Sequence, residues 1–200
     1  MALIGEPAYK RLHVDERRRR LLELGGRLFT AHAYDELSMS AIAREAGISK
    51  ALLYHYFPSK SEYFRATVSA AAEELAALTE PDPDLAPLER LTASLDAFLT
   101  WIEENDEPYA KLMQSATGAS EVRDLVVDVR RRTGARLLEA IAPEGPTPAV
   151  RTAVEGWLWF MDGACVDWLA HRDMTREELR NLLLGTLLGT LTAAGARLPL

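Results

Sequence analysis

The stretch Met39–Pro58, "MSAIAREAGISKALLYHYFP", decides the reading of this 200-residue chain. Counting Met39 as position one, a small residue, Ala43, stands at five and a glycine, Gly47, at nine. Apolar residues Ile42, Ala46, Ile48 and Leu53 stand at four, eight, ten and fifteen. Two crossing helices need a small side chain where they meet, and the tight turn between them needs a residue that accepts positive φ. The spacing predicts a helix-turn-helix, a motif whose second helix enters the major groove of DNA. Ser38 and Ser49 stand where the two helices need caps, and Pro58 ends the second.

Four consecutive aromatics, Tyr54-His55-Tyr56-Phe57, close that second helix in a chain only 8% aromatic by Phe, Trp and Tyr. At about 100° per residue, Leu53, Tyr56 and Phe57 share one face by the i, i+3, i+4 rule. Tyr54 and His55 then point away from it, beside Lys50 and Ala51. Lysine, phenol and imidazole are donors suited to phosphate oxygens. Lys60 falls in the first turn of the next helix, where free backbone N–H groups also favour a phosphate. A histidine met alone reads as a surface residue; inside this set His55 reads as a DNA contact.

The rest of the chain also reads as helices, with no period-two alternation and with Leu, Ala, Glu and Arg dominant. A first helix spans 15–33, with Leu21, Leu24, Leu28 and Phe29 on one face. Ser59 and Glu62 form a capping-box pattern opening a helix to Leu78, and "EPDPDLAP" breaks the chain after it. Helices are expected over 88–104, 108–116 and 120–141. After the second break, "APEGPTP", Thr147-Pro148 opens a helix to about Ala170, and Thr175/Glu178 caps a last one. The expectation is an all-α chain of about nine helices. Its parts are a domain over 1–58 with the helix-turn-helix near 38–57, a connecting helix over 59–80, and a helical bundle over 81–200.

Charge follows the same division. Residues 1–65 carry 11 Lys+Arg against 8 Asp+Glu, and the remainder 12 against 22, for a net charge of −7. A basic module joined to an acidic one fits that asymmetry. The run Arg17–Arg20 fans around its helix, so its four guanidinium groups cannot all face one partner. "MALIGEPAYKRLHV" lacks the apolar core of a signal peptide. The longest apolar runs are too short or too interrupted to span a bilayer. With one cysteine, Cys165, the chain suits a reducing cytoplasm. Its four histidines are scattered, so neither a metal nor another cofactor is expected.

The segment Ser38–Phe64, "SMSAIAREAGISKALLYHYFPSKSEYF", resembles the DNA-binding domain of the TetR family of bacterial repressors. The resemblance implies a homodimer that binds a palindromic double-stranded operator and releases it when a small molecule enters the bundle. It implies that Ser38 meets phosphate, that Ser40 and Arg44 face the groove, and that Lys50, Ala51, Leu52 and Tyr54 approach the bases, with Ser49 also among the DNA-binding residues. His55, Tyr56 and Lys60 would then hold the backbone. Leu52 departs from the Thr, Ser or small residue usual there; without a hydrogen-bonding group, it is suited to a thymine methyl.

The resemblance also places the effector in the bundle and the dimer contact in the last two helices. Trp101, Tyr109, Met113 and Trp157 are candidate pocket walls, as are Phe160, Met161 and Trp168, though each reads more readily as core or dimer interface. Asp162, Asp167 and Gln114 are the candidate polar anchors. The two carboxylates stand on an otherwise apolar helix, facing solvent or pairing across a dimer. Leu182, Gly185, Gly189 and Ala193 form a stripe that suits close helix crossing, within one chain or between two. Two other functions compete. An enzyme in the bundle lacks a nucleophile–base pair of recognisable spacing. A ligand carrier without a DNA role leaves the Lys50, Tyr54, His55 and Lys60 set unexplained.

Overall fold

The computed structural model describes residues 8–80, 82–118 and 120–196. The N-terminal residues 1–7, Pro81 of the first proline break, Ala119, and residues 197–200 lie outside that description. The described residues form nine α-helices and one 3₁₀ turn, with no strand. None of these helices is long and apolar enough to cross a membrane. The chain divides into two compact units, 1–71 and 72–200.

The first unit holds α1 (Ala8–Ala31), a 3₁₀ turn (Tyr34–Glu36), α2 (Met39–Glu45), α3 (Lys50–Tyr56) and most of α4 (Lys60–Leu78). α1 begins seven residues before the expected Asp15, because "AYKRLHV" contains no helix breaker. Ser38 and Ser49 cap α2 and α3, their hydroxyls accepting from Ala41 N–H and Leu52 N–H at 3.1 Å each. α2 ends in a Schellman turn: Gly47 N–H bonds Arg44 O at 3.1 Å and Ile48 N–H bonds Ala43 O at 3.0 Å. Gly47 has φ +64°, the backbone state that glycine adopts without a Cβ penalty.

The core of this unit gathers Leu21 from α1, Met39, Ile42 and Ala43 from α2, Leu53 and Phe57 around α3, and Tyr63 from α4. α1 and α4 meet at Gly25. A Cβ there would strike the Thr67 hydroxyl and stand 2.9 Å from the Tyr63 hydroxyl, which itself donates to Leu21 O at 2.5 Å.

The second unit packs α5 (Pro87–Glu104), α6 (Asp106–Gly118), α7 (Ser120–Ile141), α8 (Pro148–His171) and α9 (Arg176–Ala193). Thr147 caps α8 with Pro148 in its first turn, and Thr175 with Glu178 forms a complete capping box on α9. α9 buries Leu179, Leu183, Leu187 and Leu191, one leucine every fourth residue, against Val154, Trp157, Leu158 and Cys165 of α8. The buried indoles are satisfied: Trp157 Nε1 donates to Leu183 O at 2.9 Å and Trp168 Nε1 to Met174 O at 2.8 Å.

Gly25→Val is expected to destabilise the first unit by about 1–3 kcal/mol through overpacking against α4. A lowered urea midpoint checks this, and an unchanged midpoint contradicts it.

Candidate nucleic-acid interface and bundle site

α3 is two-faced. Leu53 and Phe57 are buried, and Tyr56 is partly buried against the same cluster. Phe57 stacks edge-on against Tyr63 with centroids 4.9 Å apart, and the Arg18 guanidinium covers its ring at 5.5 Å. On the opposite face Lys50, Ala51, Tyr54 and His55 are exposed, Tyr54 at 41%. Lys50 Nζ lies 5.8 Å from the Tyr54 ring centroid. Leu52 is partly buried at the margin of this face, while Ser38, Ser40, Arg44 and Ser49 are exposed. The Ser38 and Ser49 hydroxyls accept backbone bonds as caps, so each O–H proton is left to donate elsewhere.

Lys60 is partly buried and already engaged. Its Nζ donates to Tyr34 O at 3.1 Å and stands 4.2 Å over the Tyr34 ring. That ring packs on Phe64 with centroids 5.0 Å apart, so Lys60 holds the 3₁₀ turn to the start of α4. Of the arginine run, Arg19 and Arg20 pair with Glu16, and Arg19 also pairs with Glu23.

The bundle candidates divide. Tyr109, Trp157, Met161 and Trp168 are core, and Trp101 and Met113 pack partly buried against them. Gln114 and Phe160 are exposed, which separates Phe160 from the buried face of Trp157 and Met161. Asp167 is exposed and faces His171, whose ring stands 3.3 Å away and whose pKa is raised by its bond to the Asp167 carbonyl.

Asp162 neither faces solvent nor waits for another chain. Its Oδ1 accepts from the Tyr109 hydroxyl at 3.0 Å, and its Oδ2 accepts from Nε of Arg130. Burial raises the Asp162 pKa while Arg130 opposes the rise; burial and the Asp162 charge push Tyr109 well up. Cys165, one turn on and fully buried, is pushed up to about 12 by the same two causes.

Sequence reasoning missed Arg130. Its helix phase was the available signal: Val122, Val126, Arg130 and Gly134 recur every fourth residue, and the two valines and the glycine are buried. Arg131 and Arg132, by contrast, pair outward with Asp128. A separate shallow groove between α5 and α9 is lined by Asp96, Glu103, Arg176 and Arg180, which pair with one another across it. Among the described residues no group of three His, Cys, Asp or Glu side chains stands where a metal ion could be held.

Asp162→Ala is expected to cost about 3 kcal/mol, because it leaves the largely buried Arg130 unpaired and Tyr109 without its acceptor. Equilibrium denaturation checks it, and a loss below about 1 kcal/mol contradicts a buried pair.

Comparisons with known proteins follow the same two-unit division. Residues 21–67 match the profile described as bacterial regulatory proteins, tetR family, and residues 87–189 match the tetracyclin repressor-like, C-terminal domain. The HTH-type transcriptional repressor KstR of Rhodococcus jostii is 27% identical over 99% of this chain and 93% of its own length. The HTH-type transcriptional activator FasR of Mycolicibacterium smegmatis is 32% identical over 56% of this chain, and the match spans about half of that relative, 52%. A tetR-family transcriptional regulator from Streptomyces coelicolor superposes with a TM-score of 0.75 at 26% identity, over 90% of this chain and 82% of its own. With both profiles matched over most of its length, the chain belongs to the TetR family of transcription regulators.

Proposed function

We propose that this regulator binds a two-fold symmetric operator as a homodimer in the cytoplasm, represses transcription there, and is released by a small molecule held in its second unit. The observation that carries the reading is the division of α3, apolar anchors inward and Lys50, Tyr54 and His55 outward. Lys50, Ala51, Leu52 and Tyr54 meet base edges, with Ser40 and Arg44 beside them in the groove. Ser38, Ser49, His55, Tyr56 and Lys60 meet phosphates, and these contacts set position rather than sequence. Repression is preferred because the relative named a repressor aligns along 99% of the chain, the one named an activator along 56%.

The dimer contact is assigned to α8 and α9. Trp159 and Leu182 are 57% and 47% exposed, and Phe160 lies on the same open side of the bundle. Gly156 and Gly163 on α8, and Gly185 and Gly189 on α9, have nothing within 4 Å of where a Cβ would stand. Exposed Ala193 continues that low ledge. Large apolar side chains beside low ground favour a second copy of the same surface, since an isologous contact must complement itself. Ligand acts by binding one of two bundle states better than the other.

A gel shift with fragments from the regulator's own upstream region tests DNA binding, with affinity falling steeply as salt rises. Lys50→Ala is expected to change preference between operator and scrambled sequence. Lys60→Ala is expected to weaken both alike and, through the lost Tyr34 contacts, to lower stability by about 0.5–1 kcal/mol. Failure to bind any such fragment at low salt contradicts the reading. Leu182→Glu is expected to yield a folded monomer by sedimentation and to abolish operator binding. A dimer unchanged by that substitution places the contact elsewhere.

A further inference from the structure

In the Tyr109–Asp162–Arg130 cluster, the donors left without a partner are those of Arg130. Both Asp162 oxygens are occupied, Oδ1 by the Tyr109 hydroxyl and Oδ2 by Arg130 Nε. Arg130 is not saturated. Its side chain is only 14% exposed, its flat face lies 3.6 Å from the Trp159 ring centroid, and only Nε makes a hydrogen bond. The two terminal nitrogens, Nη1 and Nη2, have no hydrogen-bond partner among the described residues.

A guanidinium held at one edge and on one face keeps one orientation, with its terminal nitrogens at the surface. Its free end is a planar pair of donors, which matches two oxygens of a carboxylate or a phosphate bidentately. A cationic ligand finds no complement at Asp162, because that carboxylate is already paired and its partner is itself a cation. We propose that the free end of Arg130 binds the acid group of a small organic anion, and that this anion belongs to the class of the regulator's effector.

Asp162 serves as a positioning residue. It takes Nε, fixes the plane of the guanidinium, and leaves the terminal nitrogens for the ligand. The Trp159 ring already covers one face of that guanidinium, and Tyr109 carries the cluster into the apolar core. One residue each comes from α6, α7 and α8, so an anion drawing on Arg130 acts on the tie that joins three helices. The effector role rests on the regulator reading above; the binding itself does not.

The test uses the full chain without DNA and four probes with one common tail: octanoate, octyl phosphate, octyltrimethylammonium and octanol. Calorimetry and the intrinsic tryptophan fluorescence report binding. At least one anion is expected to bind saturably, and at least tenfold more tightly than the cation or the alcohol. The stronger of the two anions identifies the acid group as carboxylate or phosphate. Arg130→Gln is expected to weaken that anion about thirty-fold, the loss of a charge-assisted contact. Arg130→Lys keeps the charge without the planar fork and is expected to lose most of the same affinity, with unchanged helical circular dichroism. The proposal is overturned if neither anion binds saturably, if the cation or the alcohol binds as well, or if a folded Arg130 variant binds as the parent does. A chain that binds octanoate but no DNA fragment leaves this site standing and removes the regulator reading. DNA binding without anion binding does the reverse.

Discussion

α3 is seven residues long, and a helix that short has no stability of its own in water. What α3 presents outward depends on two side chains that hold this helix down. Leu53 is fully buried and Phe57 nearly so, and burying each is worth about 1.5–3 kcal/mol. Phe57 lies one residue past the helix, in extended backbone at φ −138°, yet its ring still reaches Tyr63 of α4. The anchoring therefore fixes both ends of the element: Leu53 sets its rotation and Phe57 its termination. Lys50, Tyr54 and His55 owe their common direction to that constraint rather than to any bond among themselves.

The second unit solves a different problem, how to bury tryptophans and charge in one small bundle. Indole N–H groups find backbone carbonyls at the α8–α9 seam and just past the end of α8, so the aromatic core carries no unmet donor there. The charged groups near the core are met in a triad spanning α6, α7 and α8. Such a triad is weak evidence for stability, since an apolar replacement of equal volume is often as stable. Its value lies in direction, because it holds one guanidinium in one orientation. At the α5–α9 edge, ion pairs of more exposed arginines do what surface pairs do, adding little energy and some registry.

Much of the first unit was legible in the sequence because its signals are local. Ser38, Gly47, Ser49 and Pro58 each act within a few residues, and each does what its backbone chemistry requires. The early start of α1 was not legible, since "AYKRLHV" carries no cap to mark a boundary. In the bundle, helix limits were readable from proline and threonine, but side-chain roles were not. Trp157, Phe160 and Met161 look alike as a string, and only the packing of α9 shows Phe160 standing outside. Asp162 was recognisable as anomalous without revealing its partner, because Arg130 lies 32 residues away. Lys60 was read as a free donor, and the contact it makes with Tyr34 is 26 residues distant.

Cys165 is the chain's only thiol and is sealed in the α8–α9 core, with its proton held up to about 12. Thiolate is the reactive form, so burial and the raised pKa both disfavour reaction of Cys165 with maleimides at neutral pH. A cysteine introduced at exposed Ala51 would be the single reactive position, with no need to disturb Cys165 first. A dye or spin label attached there would report the surroundings of α3 in solution. Because it is sealed in the core, Cys165 thus leaves α3 open to selective labelling.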